Sequence, residues 1–200
     1  MKKKIVSLMI MCAVILLSYF YAHIDYNSYI YNRHGDSAMY YGTGPLLDDE
    51  IITQTFIAEE NTIDGFNIKI TTSGNVDKLV LKYSVMDEMF EVVARAQVPA
   101  NTLESNKFNQ LDIPTIENTA GKQYTIVLSV DNADTQNGVG FYVEPGSDGN
   151  QQLNIKNNDT DGTLVTRIIS HRFDVETFIV FLGIVAFVAM FMKVLYKFFK

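Results

Sequence analysis

Two segments without a charged residue, one near each end of the chain, constrain the fold more than any other feature. The first runs from Ile5 to Ala22 and the second from Thr177 to Met192. A helix needs about 20 apolar residues to cross the hydrocarbon core of a bilayer. We therefore predict transmembrane helices at residues 5–22 and 177–196, with a single folded region between them.

The charges around these segments predict the topology. All 23 acidic residues lie between the two segments together with ten of the 16 basic residues, which leaves this middle part with a net charge of −13. Lysines that flank a span remain on the cytoplasmic side. Residues 1–4 and 197–200 are therefore predicted to be cytoplasmic and the middle part extracytoplasmic. The acidic middle part also argues against nucleic-acid binding, which requires a basic surface.

The N-terminal segment has two interpretations, an uncleaved anchor and a cleaved signal peptide. The anchor is favoured because cleavage after Ala22 would place the bulky Phe20 where signal-peptide sites carry a small residue. Cys12 is the only cysteine of the chain and lies within this segment. Secreted eukaryotic domains usually carry disulfides, so a cysteine-free exterior predicts a bacterial cytoplasmic-membrane protein.

Apolar and polar residues alternate through the middle part, as expected for β-strands with one buried face. Clusters of Asn, Asp, Gly and Pro separate these stretches, which show no helical periodicity. We predict an all-β class, with an antiparallel β-sandwich at residues 50–170, a Tyr-rich membrane-proximal segment at 23–49 and a linker at 171–176. The clearest inward-facing sets are Phe66, Ile68 and Ile70; Leu79, Leu81, Tyr83 and Val85; Phe90, Val92, Ala94, Ala96 and Val98; Tyr124, Ile126, Leu128 and Val130; and Val139, Phe141 and Val143.

Three stretches of the middle part resemble a known family: ITQTFIAEENTIDGFNIKITTSGNVDKLVLKYSV, VPANTLESNKFNQLDIPTIENTAGKQYTIVLSVDNAD and GVGFYVEP. A Q-x-F opening strand is followed by an L-x-L strand and a G-K-x-Y strand. This order is similar to that of the galactose-binding-like jelly-roll modules found in bacterial envelope membrane proteins. The resemblance covers the region from Ile51 to Ile169 and implies a jelly-roll sandwich in a carbohydrate-related setting. It implies no particular binding residues.

The distribution of titratable residues argues against catalysis. The three histidines, His23, His34 and His171, all lie in the flanks of the predicted sandwich. No Ser-His-Asp arrangement is therefore expected at the strand ends. Adjacent carboxylates such as Asp87 and Glu88 are expected to be solvated turn residues, since glycoside chemistry needs two carboxylates that face each other across a cleft. We predict that the chain is not an enzyme.

One stretch has part of the spacing of a Ca²⁺ loop. Asn157, Asp159 and Asp161 begin such a loop, but its twelfth position, which should be acidic, is Ile168. A hairpin turn at Asp161 and Gly162 explains the same residues. We predict neither a metal nor another cofactor.

A saccharide site needs an aromatic ring for the C–H face of a sugar and polar side chains at its rim. The alternation places Tyr142 on an outer sheet face, with Lys82, Arg95, Asn67 and Lys69 on comparable outer faces. We take Tyr142, Lys82 and Arg95 as the candidate ligand-binding residues. The alternative is that Tyr142 is an ordinary exposed strand residue.

Tyrosine is concentrated after the first apolar segment, with seven of the eleven tyrosines between Tyr19 and Tyr41. One interpretation is an aromatic belt at the membrane interface followed by a stalk packed on the sandwich. The other is a contact surface for a partner, because tyrosine is enriched in protein interfaces.

Two functional hypotheses follow from these features. The favoured one is a non-catalytic, membrane-anchored binding module of the bacterial cell envelope, which acts with polysaccharide or glycolipid machinery and contacts an envelope saccharide or a lipid-linked sugar. The alternative is a structural accessory subunit that docks on a larger, polytopic membrane protein and has no saccharide site.

Overall fold

The computed structural model of the chain describes residues 2–146 and 151–199. It divides into two compact units, one of residues 2–25 with 171–199 and one of residues 26–146 with 151–170. Met1 and Lys200, which are predicted to be cytoplasmic, lie outside the described residues. The first unit contains two helices, and the second contains most of the strands.

The two helices are α1 (Lys2–Tyr21) and α2 (Val175–Phe198). Asp174 caps α2, because its side chain accepts a hydrogen bond from the N–H of Thr177 at 2.9 Å. By length and composition α2 can cross a membrane, whereas the apolar part of α1 within the described residues is the shorter stretch Met9–Tyr21. The second predicted helix is therefore present and long enough to span a bilayer, and the two-pass arrangement stays a prediction.

The strands form two antiparallel sheets. The first sheet contains seven strands: β1 (His23–Tyr29), β2 (Tyr41–Gly42), β4 (Thr62–Ser73), β7 (Lys107–Glu117), β9 (Gly138–Glu144), β12 (Thr163–Leu164) and β13 (Thr166–Phe173). The second contains six: β3 (Ile51–Ile57), β5 (Val80–Met86), β6 (Val92–Pro99), β8 (Gln123–Asp131), β10 (Leu153–Ile155) and β11 (Asn158–Thr160).

The strand orders differ between the two sheets. The seven-stranded sheet has the order β1-β13-β4-β9-β12, with β7 paired to β4 and β2 paired to β9. The six-stranded sheet has the order β11-β10-β3-β8-β5-β6. Two antiparallel sheets confirm the predicted β architecture of the middle part, and the jelly-roll arrangement stays a prediction.

Both sheets contribute to one apolar core. Phe66 of β4, Phe141 of β9 and Phe56 of β3 are fully buried in it. Each such side chain contributes roughly 1.5–3 kcal/mol by leaving water. The predicted alternation is confirmed for β4, β5, β8 and β9, whose inward-facing apolar residues are all buried.

The inward-facing set predicted to begin at Phe90 is wrong at its first two residues. Phe90 lies in the turn before β6, with a φ of 63° and 77% of its surface exposed. Asp87 organises this turn by accepting the N–H groups of Met89 and Glu91. Because the register also shifts at the end of β5, Val92 is exposed at the start of β6.

The β unit begins earlier than the predicted boundary at residue 50. It starts at Tyr26, and both Ile30 and Leu46 are buried in its core. Residues 23–49 therefore supply β1, β2 and their connecting loops. The predicted linker at residues 171–176 is occupied by the end of β13 and the first turn of α2.

Candidate functional site

The outer face of the six-stranded sheet brings together two of the three predicted site residues. Lys82 of β5 lies opposite Gln97 of β6 and Ser129 of β8. In the next outward-facing row, Ser84 of β5 lies opposite Arg95 of β6. Because neighbours in these rows are separated by about 5 Å, the side chains form one continuous polar surface.

This surface contains a cavity of about 590 Å³. Its size is within the range of about 300–1,000 Å³ that is usual for small-ligand sites. We call it the β5-β6-β8 groove and define it by its lining residues: Lys82, Tyr83, Ser84, Val92, Arg95, Ala96, Gln97, Val127 and Ser129.

The two cations of the groove differ in their partners. The Nζ atom of Lys82 lies 2.5 Å from Oδ2 of Asp131, and each of these side chains is nearly half exposed. An exposed pair of this kind contributes about 0–1 kcal/mol to stability. Arg95 is exposed and has no ion-pair partner in the part of the chain that the structure describes. The groove therefore presents an unpaired guanidinium.

Tyr83 is among the lining residues, but its side chain points into the core and not into the groove. Its side chain is almost fully buried, and its hydroxyl donates a hydrogen bond to the backbone oxygen of Asp112 at 2.9 Å. Burial raises the pKa of Tyr83, and the charge of Asp112 raises it further. The phenol therefore stays neutral and connects the two sheets through this hydrogen bond.

Tyr142, the third predicted site residue, is not part of this groove. It lies on β9, in the seven-stranded sheet. Its hydroxyl donates to Oδ1 of Asn106 at 2.7 Å, and Nζ of Lys69 lies 4.6 Å from the centre of its ring. Tyr142 therefore lies on a different sheet from Lys82 and Arg95. The prediction grouped them because alternation along a strand does not tell which sheet the strand joins. The role of these three residues in binding stays a prediction.

The outer face of the seven-stranded sheet carries aromatic rings and cations in alternation. The guanidinium of Arg167 lies 4.0 Å from the ring centre of Phe108 and 5.0 Å from that of Tyr29. The ammonium of Lys69 lies over Tyr142 and, at 5.5 Å, over Tyr40. We call this surface the aromatic-cation face and define it as Tyr29, Tyr31, Arg33, Tyr40, Lys69, Phe108, Tyr142 and Arg167.

The rings of the aromatic-cation face also contact one another. Tyr31 packs edge-on against Tyr29 and Tyr40, and it stacks on Phe108 with ring centres 6.4 Å apart. Burial raises the pKa of Tyr40, with a smaller contribution from the charge of Glu144. The sequence signal for this face is the cluster of tyrosines before residue 42, of which Tyr29, Tyr31 and Tyr40 belong to the face.

A third surface is the tip of the β5-β6 hairpin. Met89 and Phe90 are 81% and 77% exposed, and Val92 and Val93 are also exposed. A second cavity of about 570 Å³ lies beside the tip, lined by Val92, Val93, Ala94, Arg95 and Pro114. Large apolar side chains grouped in this way commonly mark a contact site for another molecule.

Two of the histidines have hydrogen-bond contacts in the unit that contains the helices. Nδ1 of His171 lies 2.6 Å from Oδ1 of Asp25, and Nδ1 of His23 lies 2.8 Å from the backbone oxygen of Tyr19. No group of three or more His, Cys, Asp or Glu residues that could hold a metal ion is found among the residues searched.

The segment with partial Ca²⁺-loop spacing forms a hairpin. Lys156 and Asn157 both have positive φ values and connect β10 to β11 in a two-residue turn. Asp159 lies in β11 and accepts a hydrogen bond from the side chain of Gln152. The hairpin turn predicted at Asp161 and Gly162 is therefore wrong in position, because the tight turn lies five residues earlier, at Lys156 and Asn157.

Comparison of the sequence with known protein families found no match. No curated protein matches the chain either.

Proposed function

We propose that the protein is a non-catalytic, membrane-anchored binding module whose β unit lies outside the bacterial cytoplasmic membrane. Its ligand is a saccharide of the cell envelope, free or lipid-linked, and its binding site is the β5-β6-β8 groove. The observation that carries this proposal is that Lys82 and Arg95 line one cavity of ligand size.

The lining of the groove suits a sugar that carries a carboxylate. Gln97, Ser84 and Ser129 offer both hydrogen-bond donors and acceptors, which match sugar hydroxyl groups. The unpaired guanidinium of Arg95 presents parallel N–H donors that fit a carboxylate. Val127 adds an apolar patch for C–H groups. Because no exposed aromatic ring lines the cavity, binding depends chiefly on the polar contacts.

The groove lacks the groups that chemistry on a glycoside would need. Its lining residues, within the described ranges, include no carboxylate and no histidine. Glycoside hydrolysis usually needs two carboxylates across the scissile bond. This composition supports binding without turnover.

A saccharide array tests the proposal directly. The full chain is purified in a non-ionic detergent without a sugar headgroup and applied to bacterial envelope fragments, some with uronic acids and some neutral. We expect binding to the acidic fragments. Arg95→Gln should weaken binding of the best fragment about tenfold, the loss expected for one charge-assisted hydrogen bond.

Three further variants serve as controls for the groove. Lys122→Gln removes an exposed cation elsewhere, and Tyr142→Ala alters the opposite sheet, so both should leave fragment binding unchanged. Asp131→Asn should strengthen binding of acidic fragments, because it releases Lys82 from its ion pair. Equal losses for Arg95→Gln and Lys122→Gln, or no fragment binding by the wild-type chain, would contradict a groove-bound saccharide.

The proposed location rests on the charge layout and on α2. Reporter fusions at both termini should give cytoplasmic signals if both helices cross the membrane. Mass spectrometry of the mature protein provides the decisive check, since an N-terminus at His23 would show a cleaved signal and leave one span.

The hairpin tip favours the alternative function, a structural accessory subunit. Exposed Met89 and Phe90 offer an apolar contact, and Glu88 and Glu91 beside them favour a partner with a basic rim. A photo-crosslinker at residue 90 should then join the chain to one polytopic membrane protein, while the same group at exposed Lys122 should not. Such a crosslink together with no saccharide binding would establish the accessory role.

A further inference from the structure

The aromatic-cation face concentrates positive charge on an otherwise acidic domain. It contains three cations, Arg33, Lys69 and Arg167, each of which lies within 5.5 Å of a ring centre. None of the three forms a salt bridge with a carboxylate among residues 2–146 and 151–199. Aromatic rings therefore contact these three cations, and no salt bridge among the described residues neutralises their charge.

Strand register places two of these cations close together. Lys69 of β4 lies opposite Phe108 of β7, and Arg167 of β13 lies opposite Asn67 of β4. Lys69 and Arg167 are therefore diagonal neighbours on adjacent strands, where positions are separated by about 7–8 Å. Both side chains point to the outer face of the sheet, because the adjacent β4 residues Phe66 and Ile68 point into the core.

Two carboxylates of the same sheet accept hydrogen bonds from other groups. Oε2 of Glu144 accepts the backbone N–H of Asn32 at 2.7 Å. Oδ1 of Asp112 accepts a hydrogen bond from the side chain of Gln110. The charge of Glu144 contributes to the raised pKa of Tyr40, the ring that lies 5.5 Å from Nζ of Lys69.

Two buried polar atoms at this position have no partner. In the described structure, Nε of Arg167 and Oδ1 of Asn67 are inaccessible to solvent and make no hydrogen bond. Buried polar groups are nearly always satisfied in folded proteins. An anion supplies the acceptor that Nε of Arg167 lacks, whereas Oδ1 of Asn67 is itself an acceptor and needs a donor.

We infer that the aromatic-cation face binds a phosphate group, which Lys69 and Arg167 contact. A tetrahedral phosphate offers three terminal oxygens in different directions, which suits two cations that approach from neighbouring strands. The rings restrict both side chains before binding, and this lowers the entropy cost of association. The phosphate belongs either to a soluble sugar phosphate or to a lipid headgroup. This inference does not depend on the saccharide groove, which lies on the other sheet.

Titration with defined phosphates tests the inference. The full chain, in a non-ionic detergent free of sugar and phosphate, is titrated with a hexose 1-phosphate and with inorganic phosphate by calorimetry. A second arm uses mixed micelles that contain either a polyprenyl phosphate or the uncharged polyprenol. Binding in the first arm alone identifies a soluble source, and stronger binding of polyprenyl phosphate than of polyprenol identifies a lipid source.

Matched charge variants assign the site. Lys69→Gln and Arg167→Gln should each weaken phosphate binding about tenfold, as for loss of one charge-assisted contact. Lys122→Gln removes an exposed cation that belongs to neither surface and should leave the affinity within about twofold, because it makes no contact with the ligand. Arg167→Lys keeps the charge and should retain most of the binding.

A measurement on the wild-type chain covers the case in which a variant fails to fold. Phosphate should slow acetylation of Lys69 by an amine-reactive reagent, with the exposed Lys122 of the same molecules as the reference. Protection of Lys69 alone supports the site. Absence of binding by every phosphate probe, or equal protection of both lysines, would overturn the inference.

Discussion

The two outer faces of the β unit are built by the same rule and differ in what covers them. On both sheets, alternation along the strands directs one set of side chains into the shared core and the other set outward. The six-stranded sheet leaves its outward set open, so that Lys82 and Arg95 line an accessible groove. On the seven-stranded sheet, residues 29–46 pack over the strands, and tyrosines enclose Lys69 and Arg167.

This difference teaches that a chain segment outside the main strands can set the chemistry of a face. Leu46 is fully buried, and its N–H donates to the backbone oxygen of Val139 in β9 at 2.9 Å. The segment is thus part of the fold and holds rings next to the cations. Without it, the seven-stranded sheet would present exposed charges much as the other sheet does.

The largest expected effect comes from the core that both faces share. Phe66→Ala should lower the free energy of unfolding by about 3–5 kcal/mol, because Phe66 is fully buried. Denaturant titration of the full chain, followed by the near-ultraviolet signal of its tyrosines, measures this change. Both faces should lose their structure in a single transition.

A matched substitution makes the comparison sharper. Phe90→Ala removes the same ring from a position that is 77% exposed and should change stability by no more than about 0.5 kcal/mol. Similar losses of stability for Phe66→Ala and Phe90→Ala would contradict the assignment of Phe66 to the core and of Phe90 to the exposed tip.

The second effect separates the two faces. A Cβ atom at Gly140 of β9 would lie 2.6 Å from the backbone oxygen of Gly44, in the segment that covers the seven-stranded sheet. Gly140→Ala should therefore cost about 1–3 kcal/mol through steric overlap. Hydrogen exchange of the Thr43 and Leu46 amides should accelerate more than exchange of the Ser129 amide in the groove.

Gly42→Ala is the control for this substitution. The atom nearest to a Cβ at this position is 3.9 Å away, which is an ordinary contact distance. It should leave exchange at Thr43 and Leu46 nearly unchanged. Uniform acceleration at all three amides in Gly140→Ala would mean that the covering segment and the groove unfold together.

The smallest effect concerns the connection between the two sheets. Glu50 lies between β2 and β3, and its pKa is lowered, first because it accepts the N–H of Leu47 and then because it pairs with Lys156. The pKa is lower in the folded than in the unfolded state. The resulting stability is therefore present above pH 4.5, the ordinary value for glutamate, and is lost as the pH falls through the folded value.

Glu50→Gln should cost about 1 kcal/mol at pH 7, since a partly exposed charge-assisted contact is removed. The cost should shrink as the pH falls below 4.5. Melting temperatures of both proteins from neutral to acidic pH check this, with exposed Glu59→Gln as the control. A constant difference across the pH range would show that the ionised form of Glu50 contributes nothing.

Much of the fold was predictable because it depends on local pattern. Alternation identified the inward-facing residues of β4, β5, β8 and β9, and the structure confirms them. It failed at Phe90 because the Asp87 side chain organises a turn that removes this residue from the strand. Turn hydrogen bonds of this kind compete with strand pairing and leave little trace in a hydrophobic pattern.

The candidate site was only partly predictable. Alternation correctly placed Lys82 and Arg95 on an outer face, but it grouped Tyr142 with them although Tyr142 lies on the other sheet. The aromatic-cation face was missed as a unit. Its parts come from Tyr29 near one end of the chain and Arg167 near the other, and only their meeting on one sheet makes them a surface.

The sequence by itself determined the apolar terminal segments, the acidic middle part and the inward side of most strands, because each of these depends on residues close together in the chain. The tertiary structure decided which strands share a sheet, where the β unit begins and which cations lie next to rings. These features depend on contacts between residues far apart in sequence. Such contacts form only when the apolar faces of all the strands are buried together in one core.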